Sequence, residues 1–200
     1  MDIEVDGKRV HASFGGHDTN TSEPAVILVH GNGLDHTIWQ LQTRHIANRS
    51  RRAIAVDLPG HGQSEGPPMN SIHEMSDWLL RFIDAAEIDT ATLVGHSMGS
   101  FIALEAAANF PERIDKLCLM GISEKMPVHP ELLAAAKHND ILAAELIVFW
   151  GLGQKAQLGG HPSPGLWVHG ASKTLLSNAK DGTLFAGLSA CNSYQGAAKA

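Results

Sequence analysis

A serine placed for nucleophilic chemistry is the first feature of the sequence that suggests a reaction: Gly95-His96-Ser97-Met98-Gly99 has the pattern G-x-S-x-G. In this pattern the serine occupies a sharp, strained turn between a strand and a helix, and the glycines avoid collisions of flanking side chains. The turn should project the Ser97 hydroxyl above a sheet and place the Met98 amide at a helix start, where N–H groups face developing negative charge. The pattern therefore predicts nucleophilic catalysis by Ser97.

The residues that flank this motif decide whether it is more than a chance match. The string alone is short enough to recur by chance, and a glycine-rich turn with a solvated serine is the alternative interpretation. A strand-like stretch, Thr92–Val94, precedes the motif, and a helix-like stretch, 98–110, follows it. This is the strand–turn–helix order that a serine nucleophile requires, so the catalytic interpretation is favoured.

A sheet must hold the motif, and four apolar stretches rich in β-branched residues predict its parallel strands. They are 25–29, 53–56, 92–94 and 116–120. The first two and the last are almost unbroken, so both of their faces should be covered by helices. Loose alternation over residues 3–14, around the turn-forming pair Asp6-Gly7, predicts two further, antiparallel strands.

Helical periodicity fills the segments between these strands. A capping box at Ser71 and Glu74 predicts the start of a helix whose apolar stripe extends to Ala86. Residues 98–110 predict a central helix, which Pro111 ends. A shorter helix is predicted from the apolar spacing of Ile38, Leu41, His45 and Ile46. Strands that alternate with helices predict the α/β fold class, with a doubly wound, mostly parallel sheet.

The pattern changes after this sheet, because residues 126–194 show helical segments and no convincing strand. Helices are predicted at 130–150 (two, broken near 138–140), 172–178 and 184–194, with a glycine- and proline-rich loop at 151–165. We interpret this part as a helical cap. Most of its large apolar residues should pack inside the protein, and some should line an apolar pocket for an acyl or alcohol group. These residues are Leu132, Leu133, Phe149, Trp150, Leu166 and Trp167.

Charge and hydropathy exclude several classes of partner. The 200 residues carry 15 Lys and Arg against 21 Asp and Glu, a formal charge of −6, which argues against nucleic acid and anionic membranes as partners. The sequence has no apolar run long enough for a membrane span, and its acidic start lacks a signal segment. Cys118 and Cys191 do not make a disulfide scaffold. A cytoplasmic location is expected, and the oligomeric state is left open.

The motifs predict neither a metal nor a cofactor. The sequence has no H-E-x-x-H pattern and no close cluster of Cys and His. Dinucleotide binding on a doubly wound sheet is a weak third hypothesis, because His30–Gly33 lacks the G-x-G-x-x-G spacing.

Three blocks in this order make the chain resemble the α/β-hydrolase family over about residues 24–121. His30–Gly33 follows the first parallel strand, as the oxyanion loop of the family does. Asp57–Ser64 is similar to the D-x-P-G-x-G-x-S loop after the next strand, and Gly95–Gly99 is similar to the nucleophile elbow. Phe110–Arg113, after the elbow helix, is also typical of the family. Over the cap the resemblance is only general.

The resemblance implies a serine hydrolase of the esterase type that acts on a small-molecule carboxylic ester through an acyl-enzyme. It makes Ser97 the nucleophile and the Met98 N–H one oxyanion donor. The second donor is the N–H of Asn32, with Gly33 as the less favoured candidate. Cofactor-free perhydrolases and C–C bond hydrolases share these parts and stay alternatives. Dehalogenases and epoxide hydrolases of the family use an aspartate in place of the serine.

The acid and the histidine of the family's catalytic triad are missing from this sequence. In the family both follow strands C-terminal to the cap, yet no histidine follows His169 and no strand-like segment follows Tyr194. We therefore expect a truncated chain that lacks the last strands, with a core over 1–123, a cap over 124–196 and the start of the missing C-terminal core over 197–200. Such a chain should be inactive and poorly soluble. A non-catalytic, hydrolase-like binding protein or fragment is the competing hypothesis.

The sequence assigns the missing roles to no other residue. His96 should point away from the Ser97 hydroxyl, and His30 and His61 are interpreted as structural loop residues. Glu124 is interpreted as a solvated loop glutamate rather than the catalytic acid. Four cap histidines could overhang the pocket, and none is assigned as the base: His129, His138, His161 and His169.

Overall fold

A six-stranded sheet forms the centre of the computed structural model, which describes residues 2–16, 25–49, 51–160 and 165–200. The strands are β1 Asp2–Val5, β2 Lys8–Phe14, β3 Ala25–Val29, β4 Ala53–Val56, β5 Ala91–His96 and β6 Ile114–Met120. They lie in the order β1-β2-β4-β3-β5-β6. The pairs β1–β2 and β2–β4 are antiparallel, and the other three pairs are parallel. The predicted α/β class with a mostly parallel sheet is confirmed.

Helices fill the segments between the strands and follow the last of them. They are a 3-10 turn at His36–Trp39, α1 Gln40–Ala47, α2 Ile72–Ala85, α3 Met98–Asn109, a 3-10 turn at Pro111–Arg113, α4 Pro130–Lys137, α5 Ile141–Gly151, α6 Gln154–Gln157, α7 Val168–Ser177 and α8 Thr183–Ser193. We call α4 to α8 the cap. As predicted, the described residues between 126 and 194 contain helices and no strand. The domain boundaries at 123 and 196 stay predictions.

Alternate side chains of the central strands face two different layers of helices. On β3, Ile27 and Val29 pack with residues of α2 and α3, whereas Val26 and Leu28 pack with Trp39. Both faces of β3 and β4 are thus buried, which explains why their sequences are unbroken apolar runs. The doubly wound arrangement expected from these runs is present.

The prediction that both faces of β6 are covered is wrong. Leu117 and Met120 are each 37% exposed, and most of the strand is exposed with them. The physical reason is position, since β6 is the last strand in the described sheet and pairs only with β5. An unbroken apolar run therefore does not show by itself that a strand is buried.

Two helical details also differ from the prediction. The stripe expected around Leu41 is out of phase, because Leu41 is 55% exposed while Trp39, Thr43 and Ala47 are buried. The 3-10 turn that ends at Trp39 has a tighter repeat than an α-helix, which shifts the buried face. The predicted loop at 151–165 contains α6, and its residues 161–164 lie outside the described residues.

None of the helices in the described ranges is long and apolar enough to cross a bilayer.

Candidate active site

Ser97 occupies the sharp turn between β5 and α3 that the sequence predicts. Its backbone has φ 54° and ψ −120°, a conformation that residues other than glycine rarely adopt. The turn is held from outside, because the Ser97 N–H donates to the Met120 carbonyl of β6 at 2.8 Å. Ser100 supports the same turn, since its hydroxyl donates to the Gly95 carbonyl at 2.8 Å and accepts from the Met120 N–H at 3.1 Å.

Close backbone packing explains both glycines of the motif. A Cβ on Gly95 would overlap the Gly99 carbonyl. A Cβ on Gly99 would overlap the Val29 carbonyl and lie 2.7 Å from the His30 carbonyl. The start of α3 can therefore pack this closely on β5 and on the end of β3 only because Gly95 and Gly99, respectively, carry no side chain.

The loop after β3 reaches Ser97 because parallel strands end at the same edge of the sheet. The register pairs Val29 with Gly95, and a Cβ on Gly31 would lie 3.2 Å from the Ser97 Cβ. Asn32 follows and lines the same cavity as Ser97. Met98, the first residue of α3, is fully buried beside them. The structure thus brings Ser97, Asn32 and Met98 together, while their catalytic roles stay predictions.

Asp57 holds the loop of residues 57–64 in place by hydrogen bonds. Its carboxylate is fully buried and accepts from the His36 N–H at 2.7 Å, the His36 Nδ1 at 2.9 Å and the Gln63 N–H at 2.9 Å. Burial acts to raise the pKa of Asp57, but these hydrogen bonds outweigh it and hold the pKa below its ordinary value. The same hydrogen bond raises the pKa of His36. The buried Asp57 and the half-buried His36 thus form a close pair, which is ionic when His36 is protonated.

His30 and His61 bind backbone atoms of the loops, as expected from the sequence. The His30 Nδ1–H donates to the Gly31 carbonyl at 2.8 Å, and its Nε2 accepts from the Leu58 N–H at 3.1 Å. The His61 Nδ1–H donates to the Pro59 carbonyl at 3.0 Å. Burial lowers the pKa of both rings, that of His61 to about 3, so both are neutral at pH 7.

No proton acceptor for Ser97 emerges from the described part of the chain. Within these residues the Ser97 hydroxyl makes no hydrogen bond to a histidine. The adjacent ring, His96, has a buried Nδ1 without a hydrogen-bond partner among them, and burial lowers its pKa. Its Nδ1 lies 3.1 Å from the position of a Cβ on Gly31. Glu124 is exposed, in agreement with its interpretation as a solvated loop residue.

A cavity of about 320 Å³ lies between Ser97 and the cap. Its floor is formed by the loops that carry Gly31, Asn32, His96, Ser97 and Gly121. Its walls come from Leu34 and from the cap residues Ile147, Val148, Gly151, Leu152, Ser172, Leu176 and Leu188. No charged side chain is among these described lining residues. The arrangement places the Ser97 hydroxyl at the bottom of a mostly apolar space without charged side chains.

Sequence reasoning missed the cap residues of this cavity. The expected large residues lie elsewhere, since Leu132 packs within the cap and Phe149, Trp150, Leu166 and Trp167 are exposed. The chain carries little signal for the correct set, because α5 is apolar on nearly every side, with Glu145 as its one charged residue. A helix of this kind does not show which of its faces meets the core.

Three side chains that are far apart in sequence could hold a metal ion away from this cavity. Ligand atoms of His11, His36 and Asp57 lie within 4.8 Å of one another. His11 Nδ1 already faces Asp2 at 3.1 Å, and His36 Nδ1 already faces Asp57. These contacts satisfy the groups without a metal, and the reaction suggested by Ser97 requires none.

Comparisons with known proteins agree with this geometry. The sequence profile of the α/β-hydrolase fold matches residues 24–142. A 2-hydroxy-6-oxononadienedioate/2-hydroxy-6-oxononatrienedioate hydrolase of Burkholderia vietnamiensis is 35% identical over 128 residues, which cover 60% of this chain and 43% of the relative. The chain spans less than half the length of the curated relatives that it matches.

Solved structures extend the likeness to the cap. The enol-lactonase of Burkholderia xenovorans superposes with a TM-score of 0.81 at 19% identity, over 98% of this chain and 74% of that one. A thermophilic esterase superposes with a TM-score of 0.74 at 26% identity, over 96% and 67%. The profile covers more than half of the chain, and the elbow, the adjoining loop and the sheet order all agree with it; the chain belongs to the α/β-hydrolase family.

Proposed function

We propose that Ser97 is the nucleophile of a serine hydrolase that cleaves small carboxylic esters through an acyl-enzyme. The observation that carries the proposal is the strained Ser97 turn, which opens onto a cavity shared with Asn32. A non-glycine residue with positive φ at a strand–helix junction costs free energy, and such strain is concentrated at functional sites.

The residues around Ser97 suit an acyl transfer. The Ser97 Oγ would attack the ester carbonyl carbon, and the carbonyl oxygen would become an oxyanion that accepts hydrogen bonds from the N–H groups of Met98 and Asn32. The alcohol then leaves with a proton, and water releases the acid from Ser97. A base must take the Ser97 proton in the first step, and the proposal assigns this role to none of the described histidines.

The cavity wall supports an uncharged acyl group as the part of the substrate that is bound. A carboxylate buried there would face no cation among the described lining residues, and burial of an unpaired charge is costly. The B. vietnamiensis relative is named for dicarboxylate substrates. We therefore favour a neutral ester or lactone over an anionic substrate, and over the C–C bond hydrolase alternative with a dicarboxylate substrate; the perhydrolase alternative uses the same parts and stays open.

Phosphonylation of Ser97 tests the proposal. The purified protein is treated with an alkyl fluorophosphonate, with and without added imidazole as an external base, and the modified residue is located by mass spectrometry. We expect one adduct, on Ser97, formed faster in imidazole and absent from Ser97→Ala. Ser172→Ala is the matched control, because it removes another hydroxyl from the same cavity and should leave the adduct unchanged. Absence of a Ser97 adduct under both conditions contradicts the proposal.

A non-catalytic binding protein is the second candidate, because the Ser97 hydroxyl has no base among the described residues. Such a protein would bind a short alkyl ester in the same cavity without hydrolysing it. Calorimetric binding of ethyl hexanoate by wild type, weakened in Leu176→Ala and unaccompanied by a Ser97 adduct, would favour this candidate. A cytoplasmic location also stays a prediction.

A further inference from the structure

The cap helix α8 lies directly against both residues proposed to donate to the oxyanion. Gly187 packs so closely that a Cβ there would overlap the Asn32 side-chain amide and lie 2.9 Å from the Met98 Sδ. Gly187 itself is buried, and Met98 is fully buried. Gly187 of the cap therefore contacts both Asn32 and Met98, the residues of the two proposed donors.

A second contact ties α8 to the loop that carries Asn32. The Asn32 side-chain amide donates to the Leu184 carbonyl at 2.8 Å. Next to it, Gly33 has φ +70°, and a Cβ on Gly33 would overlap the Leu184 side chain. The loop can hold this conformation only because glycine tolerates positive φ and leaves space for Leu184.

The helix α8 is fixed to the core near both of its ends. Before and at its start, the Lys180 ammonium donates to the Ser64 carbonyl at 2.8 Å, and the Thr183 hydroxyl donates to the Gly60 carbonyl at 3.1 Å. Beyond its end, the Tyr194 hydroxyl donates to Glu105. The Tyr194 ring also packs on Phe101 of α3, with ring centroids 4.7 Å apart. These bonds make α8 a rigid support for what it touches.

Oxyanion stabilisation is sensitive to small displacements of its donors. An N–H group contributes fully only when it lies about 2.7–3.1 Å from the position of the oxyanion. The Asn32 Oδ1 is buried without a hydrogen-bond partner among the described residues, so its side chain is held by packing and by Leu184 alone. Because this side chain is also bonded to the Leu184 carbonyl, we expect a methyl group at position 187 to shift both the side chain and the Asn32 backbone that carries the proposed donor.

We propose that α8 positions the oxyanion donors. Because Gly187 has no side chain, α8 packs directly on Asn32 and Met98, and the Leu184 carbonyl binds the Asn32 side chain. Together these contacts keep both residues in place beside Ser97. Gly187 and Leu184 are positioning residues, since neither touches the reacting atoms. The inference rests on the proposed function for its catalytic meaning. Its structural content, that α8 sets the geometry of the two amides, can be tested separately.

Gly187→Ala is the first test, measured as the limiting rate and the half-saturating concentration of Ser97 phosphonylation in imidazole. The added methyl group displaces Asn32, so the limiting rate should fall about 10- to 100-fold, a part of the 10²–10³ that removal of a whole donor costs. The half-saturating concentration should change less than about twofold. Gly170→Ala is the matched control, because its methyl group meets only the Trp167 ring within the cap and should leave both constants unchanged.

Asn32→Ala is the second test, and it also serves if Gly187→Ala folds poorly. It keeps the backbone N–H but removes the bond to Leu184, so the limiting rate should fall several-fold. Because it also removes the Asn32 amide, which the Gly187 methyl overlaps most, the double variant should react faster than Gly187→Ala and at a rate close to that of Asn32→Ala. Additive losses in the double variant would overturn the inference.

Backbone amide spectra of Asn32 and Met98 separate this inference from the proposed function. Both amide resonances should shift in Gly187→Ala, and the Met98 resonance should return toward its wild-type position in the double variant, whether or not Ser97 reacts. They should stay in place in Gly170→Ala. If wild-type Ser97 does not react, the proposed function fails and these shifts alone decide the inference. Unshifted amides in Gly187→Ala would overturn it.

Discussion

The loops at the sheet edge and the cap above them are held together in different ways. The loops depend on named atoms: a buried carboxylate, two neutral histidines and glycines that touch backbone carbonyls. The cap depends mainly on apolar packing, and several of its large side chains remain exposed. We therefore expect substitutions in the loops to lower the free energy of unfolding strongly. Substitutions in the cap should have effects that depend mainly on how buried the side chain is.

The largest expected effect contrasts a loop carboxylate with a cap carboxylate. Asp57→Ala removes the acceptor of three buried hydrogen bonds and leaves His36 unpaired, so the free energy of unfolding should fall by about 3–5 kcal/mol. Asp140→Ala removes only the hydrogen bond at the N-terminus of α5, where Asp140 Oδ1 accepts from the Leu142 N–H. It should lower the free energy of unfolding by about 1 kcal/mol. Urea denaturation measures both.

The loss of free energy of unfolding in Asp57→Ala should depend on pH. The pKa of His36 is raised in the folded protein. The stabilisation from its pairing with Asp57 is therefore complete below the ordinary histidine pKa of 6.5 and is lost as the pH rises through the raised pKa. Because the folded pKa of Asp57 is lowered, its share is present above 3.8 and is lost in stronger acid. The cost of Asp57→Ala should therefore be larger at about pH 5 than at about pH 8. Equal costs at the two pH values would contradict the ion pair.

The next contrast uses two glycines in helices. Gly99→Ala places a methyl group onto the Val29 and His30 carbonyls, which cannot yield without moving β3, and should cost about 2–3 kcal/mol. Gly151→Ala meets no atom within 4 Å and gains helix propensity, so it should be neutral or stabilise by up to about 1 kcal/mol. Thermal unfolding of both variants checks the prediction. Similar shifts in Tm would remove the proposed distinction between loop and cap.

An effect confined to acidic pH is expected from the buried histidine of the loop. His61 has a folded pKa of about 3 against an ordinary value of 6.5, so the unfolded chain takes up the proton first as the pH falls. Its contribution to stability is complete above pH 6.5 and declines toward pH 3, by at most about 1.4 kcal/mol per pH unit. Replacement by glutamine, His61→Gln, should flatten this part of the stability–pH profile. An unchanged slope would argue that His61 does not titrate in this way.

The smallest effects are expected on the outer surface of the cap. Leu158 is 81% exposed and Trp167 is 68% exposed, so Leu158→Ala and Trp167→Ala should each change the free energy of unfolding by less than about 0.5 kcal/mol. The paired control is Leu176→Ala, at a buried cap position, which should cost about 2–5 kcal/mol. A large loss at Leu158 would show that its surface is covered in solution.

The sequence was sufficient for the parts whose signal is local. The β3 and β4 runs, the capping box at Ser71 and the turn at Ser97 each depend on residues a few positions apart, and all were placed correctly. The exposed β6 and the shifted stripe of α1 were not, because burial depends on which elements come to lie beside them. The contact of Gly187 with Asn32 joins residues far apart in the chain, and neither residue type reveals it.

The bond between the Ser97 N–H and the Met120 carbonyl has a consequence for how the site is acquired during folding. The strained turn is closed by a strand that is synthesised after the motif, and Ser100 is held by the same strand. A chain that has formed β5 and α3 but has not docked β6 contains the whole G-x-S-x-G string without the bond that holds its serine in place. The geometry of the Ser97 turn is thus a tertiary feature, completed only when the most exposed strand of the described sheet has paired.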